Sequence, residues 1–145
     1  MYKHILIPTD GSDLAERAVE QGLALARKLG ARVTLIRVIQ PLRAPAGESV
    51  QLRDTLEEYE REERRQAEQW LAQAAARAAD SGVPCEAVTA VNVQPYDAIV
   101  ATAREKACDL IAIASHGRSG LSAMLLGSVT QKVLAHSDLP VLVYR

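Results

Sequence analysis

The pattern that most constrains this chain is a regular alternation of short apolar runs with longer segments of helical periodicity. The apolar runs, rich in Val, Ile and Leu, fall at residues 5–9, 33–39, 86–91, 109–114 and 140–144. Helical segments fall at about 12–30, 49–80 and 128–136, and a further one begins at Pro95. These lengths and periods predict the order β-α-β-α-β-α-β-α-β, and therefore an α/β fold.

Strands that alternate with helices predict a parallel sheet with right-handed crossovers and helices on both faces. The chain has no Phe and only 3% aromatic residues, so its core must be aliphatic, which suits such a sheet. Its 145 residues predict a single domain, 1–145. In open α/β sheets, ligands bind beyond the carboxyl ends of the strands, where the strand order reverses.

Charge and hydropathy exclude several classes of function. A net charge of -1 and a pI near 6.3 give no basic face for nucleic acid. No run of 18 apolar residues predicts a membrane span, and the N-terminus lacks a signal-peptide pattern, so we expect a cytoplasmic protein. Cys85 and Cys108 form no CxxC pair, and we expect both to be small buried residues.

The second helical segment changes character along its length. Its charged middle spaces Glu57 four residues from Arg61, and Glu60 four residues from Arg64, which predicts ion pairs on a solvated face. From residue 67 to 78 an apolar stripe predicts packing on the sheet.

Polar and glycine residues follow two of the predicted strands. Residues 8–10, Pro-Thr-Asp, follow the first strand, and residues 114–117, Ala-Ser-His-Gly, follow the fourth. The chain then re-enters a helix at Gly127 and Ser128. Glycines let backbone N–H groups approach an anion, and a helix start presents unpaired N–H donors. This segment predicts a phosphate site.

Each of these residues also has an alternative structural role. Ser128 and Gln131 fit a capping box, and Asp10 could cap the first helix instead of binding a sugar hydroxyl. His116 could contact a phosphate or act as a base, or it could pack or bond to backbone. Arg118 could reach a γ-phosphate or face solvent.

The spacing of Ala114, Gly117, Gly127 and Ser128 resembles the Gly-x2-Gly-x9-Gly-Ser/Thr signature of ATP-binding members of the universal stress protein family. Ala114 replaces the first glycine. Residues 4–12 and 139–143 are also similar to the two ends of family members. The resemblance therefore covers essentially the whole chain.

The resemblance implies a five-stranded sheet of order 3-2-1-4-5 that binds ATP, with Mg²⁺ as a candidate companion ion. Gly117, Gly127 and residues 128–130 would hold the phosphates, residues 8–10 would line the adenosine, and the backbone of Val38 would meet adenine. The complete implied set is Pro8, Thr9, Asp10, Val38, Ala114, Ser115, His116, Gly117, Arg118, Gly127, Ser128, Val129 and Thr130.

The resemblance favours a nucleotide-dependent regulatory module in the stress response. The alternatives are a slow ATPase or phosphotransferase that uses the same pocket, and a member that binds no nucleotide and acts through protein contacts. Because no P-loop or dinucleotide-binding motif is present, we expect at most weak ATP hydrolysis. Residues 140–144 would form an edge strand, which predicts a homodimer through that strand.

Overall fold

A computed structural model of the chain describes residues 1–42, 45–117 and 125–145. In chain order the elements are β1 (His4–Pro8), α1 (Asp13–Leu29), β2 (Arg32–Ile39), α2 (Val50–Asp80), β3 (Cys85–Val91), α3 (Pro95–Glu105), β4 (Leu110–Ala114), α4 (Ser128–His136) and β5 (Val141–Tyr144). The predicted succession of strands and helices is confirmed, and each predicted bound lies within one residue of the observed one.

The strands form one parallel sheet of order β3-β2-β1-β4-β5. The predicted α/β class and strand order 3-2-1-4-5 are confirmed. The central strand β1 is buried along its whole length and lies between β2 and β4. The chain reverses its direction of winding at the β1–β4 pair, which is the position where such sheets open a crevice.

The two faces of the sheet carry separate aliphatic cores. Helices α1 and α2 cover one face, and α3 and α4 cover the other. Alternate residues of the central strands supply both cores, as expected for strands whose side chains alternate. The first core contains Ile5, Ile7, Val19, Leu23, Leu35, Leu71 and Ala74, and the second contains Leu6, Ile36, Ile99, Ile111, Ile113 and Val133.

Helix α2 is packed on the sheet only in its second half, where the buried residues run from Ala67 to Ala78. In the charged half, the ion pair joins Arg65 to Glu62 at 2.7 Å. The pairs predicted for Glu57 and Glu60 with Arg61 and Arg64 are not among the ion pairs of the described residues, so that prediction was wrong. Glu62 also accepts a hydrogen bond from Gln66, which favours the observed pairing.

The cysteine prediction holds for one residue and fails for the other. Cys108 is buried, whereas Cys85 is only partly buried because it lies at the start of the edge strand β3. Burial raises the pKa of both thiols to about 11, so both stay protonated at neutral pH. Across the described ranges, no helix is long and apolar enough to cross a bilayer.

Candidate functional site

A cleft of about 550 Å³ opens at the carboxyl ends of β1, β2 and β4. Its volume lies within the usual range for small-molecule sites. The residues predicted from sequence that line it are Pro8, Thr9, Asp10, Val38, Ala114, His116, Gly117, Gly127, Ser128, Val129 and Thr130. Ser115 is buried behind the wall and is not among the lining residues, while Arg118 lies outside the described residues.

The glycines at the cleft occupy positions where a side chain would collide with neighbouring atoms. A Cβ on Gly117 would overlap the Asp10 carboxylate. A Cβ on Gly127 would lie 3.0 Å from the Cα of His116 and 3.4 Å from the Ser115 carbonyl oxygen. A side chain at Gly127 would therefore press on backbone that can give only slightly, whereas one at Gly117 would first displace the Asp10 carboxylate from its place at the cleft.

Helix α4 begins differently from the capping box that its sequence suggests. The N-cap is Gly127, which has no side chain to cap the helix, so the interpretation of Ser128 as the cap was wrong. Gln131 instead donates its side-chain amide to the Leu126 carbonyl at 2.8 Å. The Gly127 N–H donates to the Ser115 carbonyl at 2.7 Å, which fixes where the chain enters the helix and moves Ser128 to its first turn.

The first turn of α4 is held against the end of β4 by a buried side chain. Thr130 is 3% exposed, and its hydroxyl donates to the Ala114 carbonyl at 2.7 Å. Ser115 continues this frame, because its N–H donates to the Tyr144 carbonyl at 2.7 Å. The Thr130 hydroxyl and the Ser115 backbone therefore position the cleft wall.

Asp10 organises the turn between β1 and α1. Its Oδ1 accepts a hydrogen bond from the Ser12 N–H at 3.0 Å, and Thr9 Oγ1 accepts one from the Gly11 N–H at 3.2 Å. The N-cap of α1 is Ser12, whose hydroxyl accepts from the Ala15 N–H at 3.3 Å. Asp10 is therefore not the cap of α1, and its carboxylate lies at the cleft beside Gly117.

His116 lines the cleft and also bonds to its neighbour. Its Nδ1 lies 3.1 Å from the Ser115 hydroxyl, so this local contact orients the ring. The bond is to a side chain rather than to the backbone proposed from sequence.

Ala114 accommodates the methyl group that distinguishes it from the glycine of the signature. It packs in a small cluster with Leu14, Ala15 and Ala18 of α1. Small residues on α1 thus leave room for this methyl within the protein, although Ala114 also borders the cleft.

Sequence reasoning missed several lining residues, which come from elements interpreted as solvated or peripheral. Tyr59 and Glu63 approach from the charged half of α2, and Tyr96 and Lys132 approach from α3 and α4. The sequence of α2 contains one signal, because residues 52, 56, 60 and 63 continue the helical spacing of its buried stripe. In the structure all four residues are half-buried. The remaining lining residues that were not predicted include Ala15, Ile36, Arg37, Ile39, Gln40, Leu42, Gln94, Pro95, Ile99 and Ile113.

At the amino ends of the strands, Asp109 and His4 form a second polar group, whose hydrogen bonds are made within the protein. Asp109 accepts hydrogen bonds from the N–H groups of Lys3 and His4 at 2.8 and 3.0 Å. Burial raises the pKa of this carboxyl, but these bonds outweigh it and the pKa is lowered overall. His4 Nε2 lies 2.8 Å from Thr34 Oγ1. Burial, with repulsion from Arg32, lowers the pKa of His4.

The comparison with protein families matches residues 1–145 to the Universal stress protein family. This chain belongs to that family. Among its relatives, the universal stress protein YxiE of Bacillus subtilis is 32% identical over 149 residues and is covered, like this chain, over 100% of its length. The family membership agrees with the resemblance found in the sequence.

Solved structures give the same result for the fold of this universal stress protein. The structure of the hypothetical protein MJ0577 of Methanocaldococcus jannaschii superposes with a TM-score of 0.85 at 31% identity, covering 99% of this chain and 95% of that one. A universal stress protein solved in complex with cAMP superposes with a TM-score of 0.68 at 26% identity, covering 99% and 97%.

Proposed function

We propose that this universal stress protein binds an adenine nucleotide, ATP above all, in the cleft and acts as a nucleotide-dependent regulatory module. The observation that carries the proposal is the first turn of α4. Its N–H groups at residues 128–130 find no hydrogen-bond acceptor among the described residues, and no side chain caps the turn. Such donors, at the positive end of a helix dipole, suit phosphate oxygens.

The residues around this turn fit a phosphate ligand. Gly117 and Gly127 let Asp10, residues 115–117 and the start of α4 approach one another closely at the cleft. The Ser128 hydroxyl makes no capping bond and can donate to a phosphate oxygen. In the proposed arrangement, the phosphates lie against Gly117, Gly127 and residues 128–130.

The opposite side of the cleft suits a nucleoside. Ile36, Ile99 and Ile113 give it an apolar floor against which the faces of a base can be buried. We place the ribose beside Asp10, which can accept hydrogen bonds from sugar hydroxyls, and the adenine beside Val38. The cAMP complex of a protein 26% identical to this chain supports an adenine nucleotide as the ligand class.

The proposed role is regulatory because this is the role that the resemblance to ATP-binding members of the family implies. In the described part of the chain, no three His, Cys, Asp or Glu side chains gather as they would to hold a metal ion. Slow hydrolysis in the same cleft is the alternative. The other alternative is a family member that binds no nucleotide and acts through protein contacts.

The decisive experiment compares the wild type with Gly127→Val by calorimetry with ATP. The valine side chain would press on the backbone of His116 and displace the start of α4, so we expect at least a roughly 100-fold loss of affinity, as several charge-assisted hydrogen bonds are lost. Leu125→Val is the matched control, because it introduces the same side chain on the same loop at a residue that is 61% exposed. Circular dichroism checks the fold of each variant.

Unchanged ATP affinity in a folded Gly127→Val variant would remove the phosphate assignment. Chromatography of the nucleotide released on denaturing freshly purified protein then separates the alternatives. ATP or ADP in the extract supports the binding role, steady conversion of added ATP to ADP supports hydrolysis, and no binding to any adenine nucleotide supports the protein-contact alternative.

We also propose a homodimer through residues 140–144, with the two copies of β5 paired antiparallel about a two-fold axis. β5 is an edge strand, and Leu142 borders an apolar groove shared with Met1, Leu25 and Leu29. Light scattering should give twice the 15.7 kDa chain mass. Leu142→Lys should shift the molecule toward monomer, whereas Val50→Lys, at the exposed start of α2, should not. A wild-type monomer at micromolar concentration contradicts the proposal.

A further inference from the structure

Lys132 is a cleft residue with no part in the sequence signature. It lies four residues beyond Ser128 on α4, so both side chains lie on the same face of the helix. The Lys132 ammonium lies over the ring of Tyr96, which also lines the cleft. A cation therefore shares the cleft with the proposed phosphate position and lies one helical turn further along α4.

An aromatic ring from another helix holds this cation. The Lys132 Nζ lies 5.5 Å from the ring centroid of Tyr96, within the range of a cation–π interaction. The ring also contacts His136, at a centroid distance of 4.7 Å and an interplanar angle of 36°, and packs against the second core. Tyr96 follows Pro95 at the start of α3, a helix that packs beside α4, so its backbone is fixed at the wall of the cleft.

Lys132 has no carboxylate partner among the described residues, in contrast to several other cations of the surface. Arg77 pairs with Glu16, Arg104 pairs with Asp138, and Lys106 pairs with Glu86. No ion pair of Lys132 occurs among the described residues, and its contact is the neutral ring of Tyr96. Its ammonium can therefore contact an anion in the cleft that Lys132 lines.

We infer that Lys132, positioned by Tyr96, binds the terminal phosphate oxygens of the nucleotide, so that the cleft favours nucleoside di- and triphosphates over monophosphates. This inference rests on the proposed nucleotide site. The N–H groups of residues 128–130 serve any phosphate at the start of α4, whereas an ammonium one turn further along reaches only a longer phosphate chain. Charge-assisted contacts of this kind are stronger than neutral ones.

The test is calorimetry of the full chain with AMP, ADP and ATP in one magnesium-containing buffer. Lys132→Gln should weaken ATP binding about tenfold and change AMP binding by less than about twofold, the size expected for one charged hydrogen bond at a partly solvated site. Lys132→Arg should keep the preference for ATP. Lys28→Gln, in the last turn of α1, is the control for the same change of net charge.

Tyr96 is tested as a positioning residue through the same ratio. Tyr96→Phe keeps the ring and should leave the ratio of AMP to ATP dissociation constants unchanged. Tyr96→Leu removes the ring and should reduce that ratio about threefold, as expected for an exposed cation–π contact. A merely structural role would lower the affinities for AMP and ATP together.

Two results overturn the inference, and they are distinguishable. Wild type that binds ATP, with Lys132→Gln changing AMP and ATP affinity by the same factor or not at all, overturns the role of Lys132 and leaves the nucleotide site standing. Wild type that binds none of the three nucleotides overturns the proposed function, and the inference fails with it.

Discussion

The two ends of the sheet differ in whether the backbone N–H groups beside them have hydrogen-bond acceptors. At the amino end, Asp109 accepts from the N–H groups of Lys3 and His4 and joins the start of β1 to β4. At the carboxyl end, the N–H groups at the start of α4 find no acceptor among the described residues. Donors bonded internally stabilise the fold, and donors left open can bind a ligand.

This comparison predicts that substitutions at the amino end change stability and that substitutions at the carboxyl end change binding. The largest change in stability is expected when the Asp109 carboxylate is removed. Asp109→Ala leaves two backbone N–H groups without their acceptor, so the free energy of unfolding should fall by about 2 kcal/mol. Urea denaturation measures the loss, and calorimetry should show unchanged ATP affinity.

The matched control for this variant is Asp138→Ala. Asp138 pairs with Arg104 at the surface, and its side chain is 76% exposed, so the loss should stay below about 0.5 kcal/mol. If Asp109→Ala is fully folded and still loses ATP affinity, the amino end of the sheet also affects binding, which contradicts the comparison.

Two serines at helix starts give a smaller and sharper contrast. Ser12 caps α1 through the Ala15 N–H, so Ser12→Ala should lower the free energy of unfolding by about 1 kcal/mol. Ser128 caps nothing, so Ser128→Ala should leave stability within about 0.3 kcal/mol and weaken ATP binding about fivefold. Equal losses of stability in the two variants would contradict the assignment of Gly127 as the N-cap.

The smallest predicted effect is a pH dependence from His4. Its pKa is lowered in the folded chain by burial and by Arg32, against opposing attraction from Glu86 and Asp109, whereas the unfolded chain has the ordinary value of 6.5. Below pH 6.5 the unfolded chain takes up a proton that the folded chain resists. Stability from this group is thus complete above pH 6.5 and is lost as pH falls toward the folded pKa.

Urea denaturation between pH 8 and pH 5.5 measures how the free energy of unfolding changes with pH. The variant His4→Gln should reduce the slope of this dependence. If His4→Gln keeps the full slope, another group causes it.

Much of the fold followed from sequence because it depends on patterns that act locally. Buried parallel strands are mostly apolar, as in β1 and β4, and helix stops such as Gly30, with φ of 66°, are encoded by single residues. The family signature identified the residues of two loops that meet at one edge of the sheet, although nothing local in the sequence says that Gly117 touches Asp10.

The rest could not be predicted because it depends on tertiary placement. Whether Ser128 or Gly127 starts α4 is decided by the hydrogen bond from Gly127 to Ser115, which joins distant segments. The approach of Tyr59 and Glu63 to the cleft depends on how far α2 extends past the sheet. A charged helix surface has the same sequence pattern whether it faces solvent or the opening of a cleft.

Ser115 connects the cleft wall to the edge of the sheet through its own backbone carbonyl and N–H groups. Its carbonyl holds Gly127, where the proposed phosphate site begins, and its N–H holds the Tyr144 carbonyl at the end of β5. A ligand that shifts the entry to α4 therefore pulls on the strand through which we propose that two copies pair. By thermodynamic reciprocity, any free energy that a nucleotide adds to pairing must return as an equal gain in nucleotide affinity.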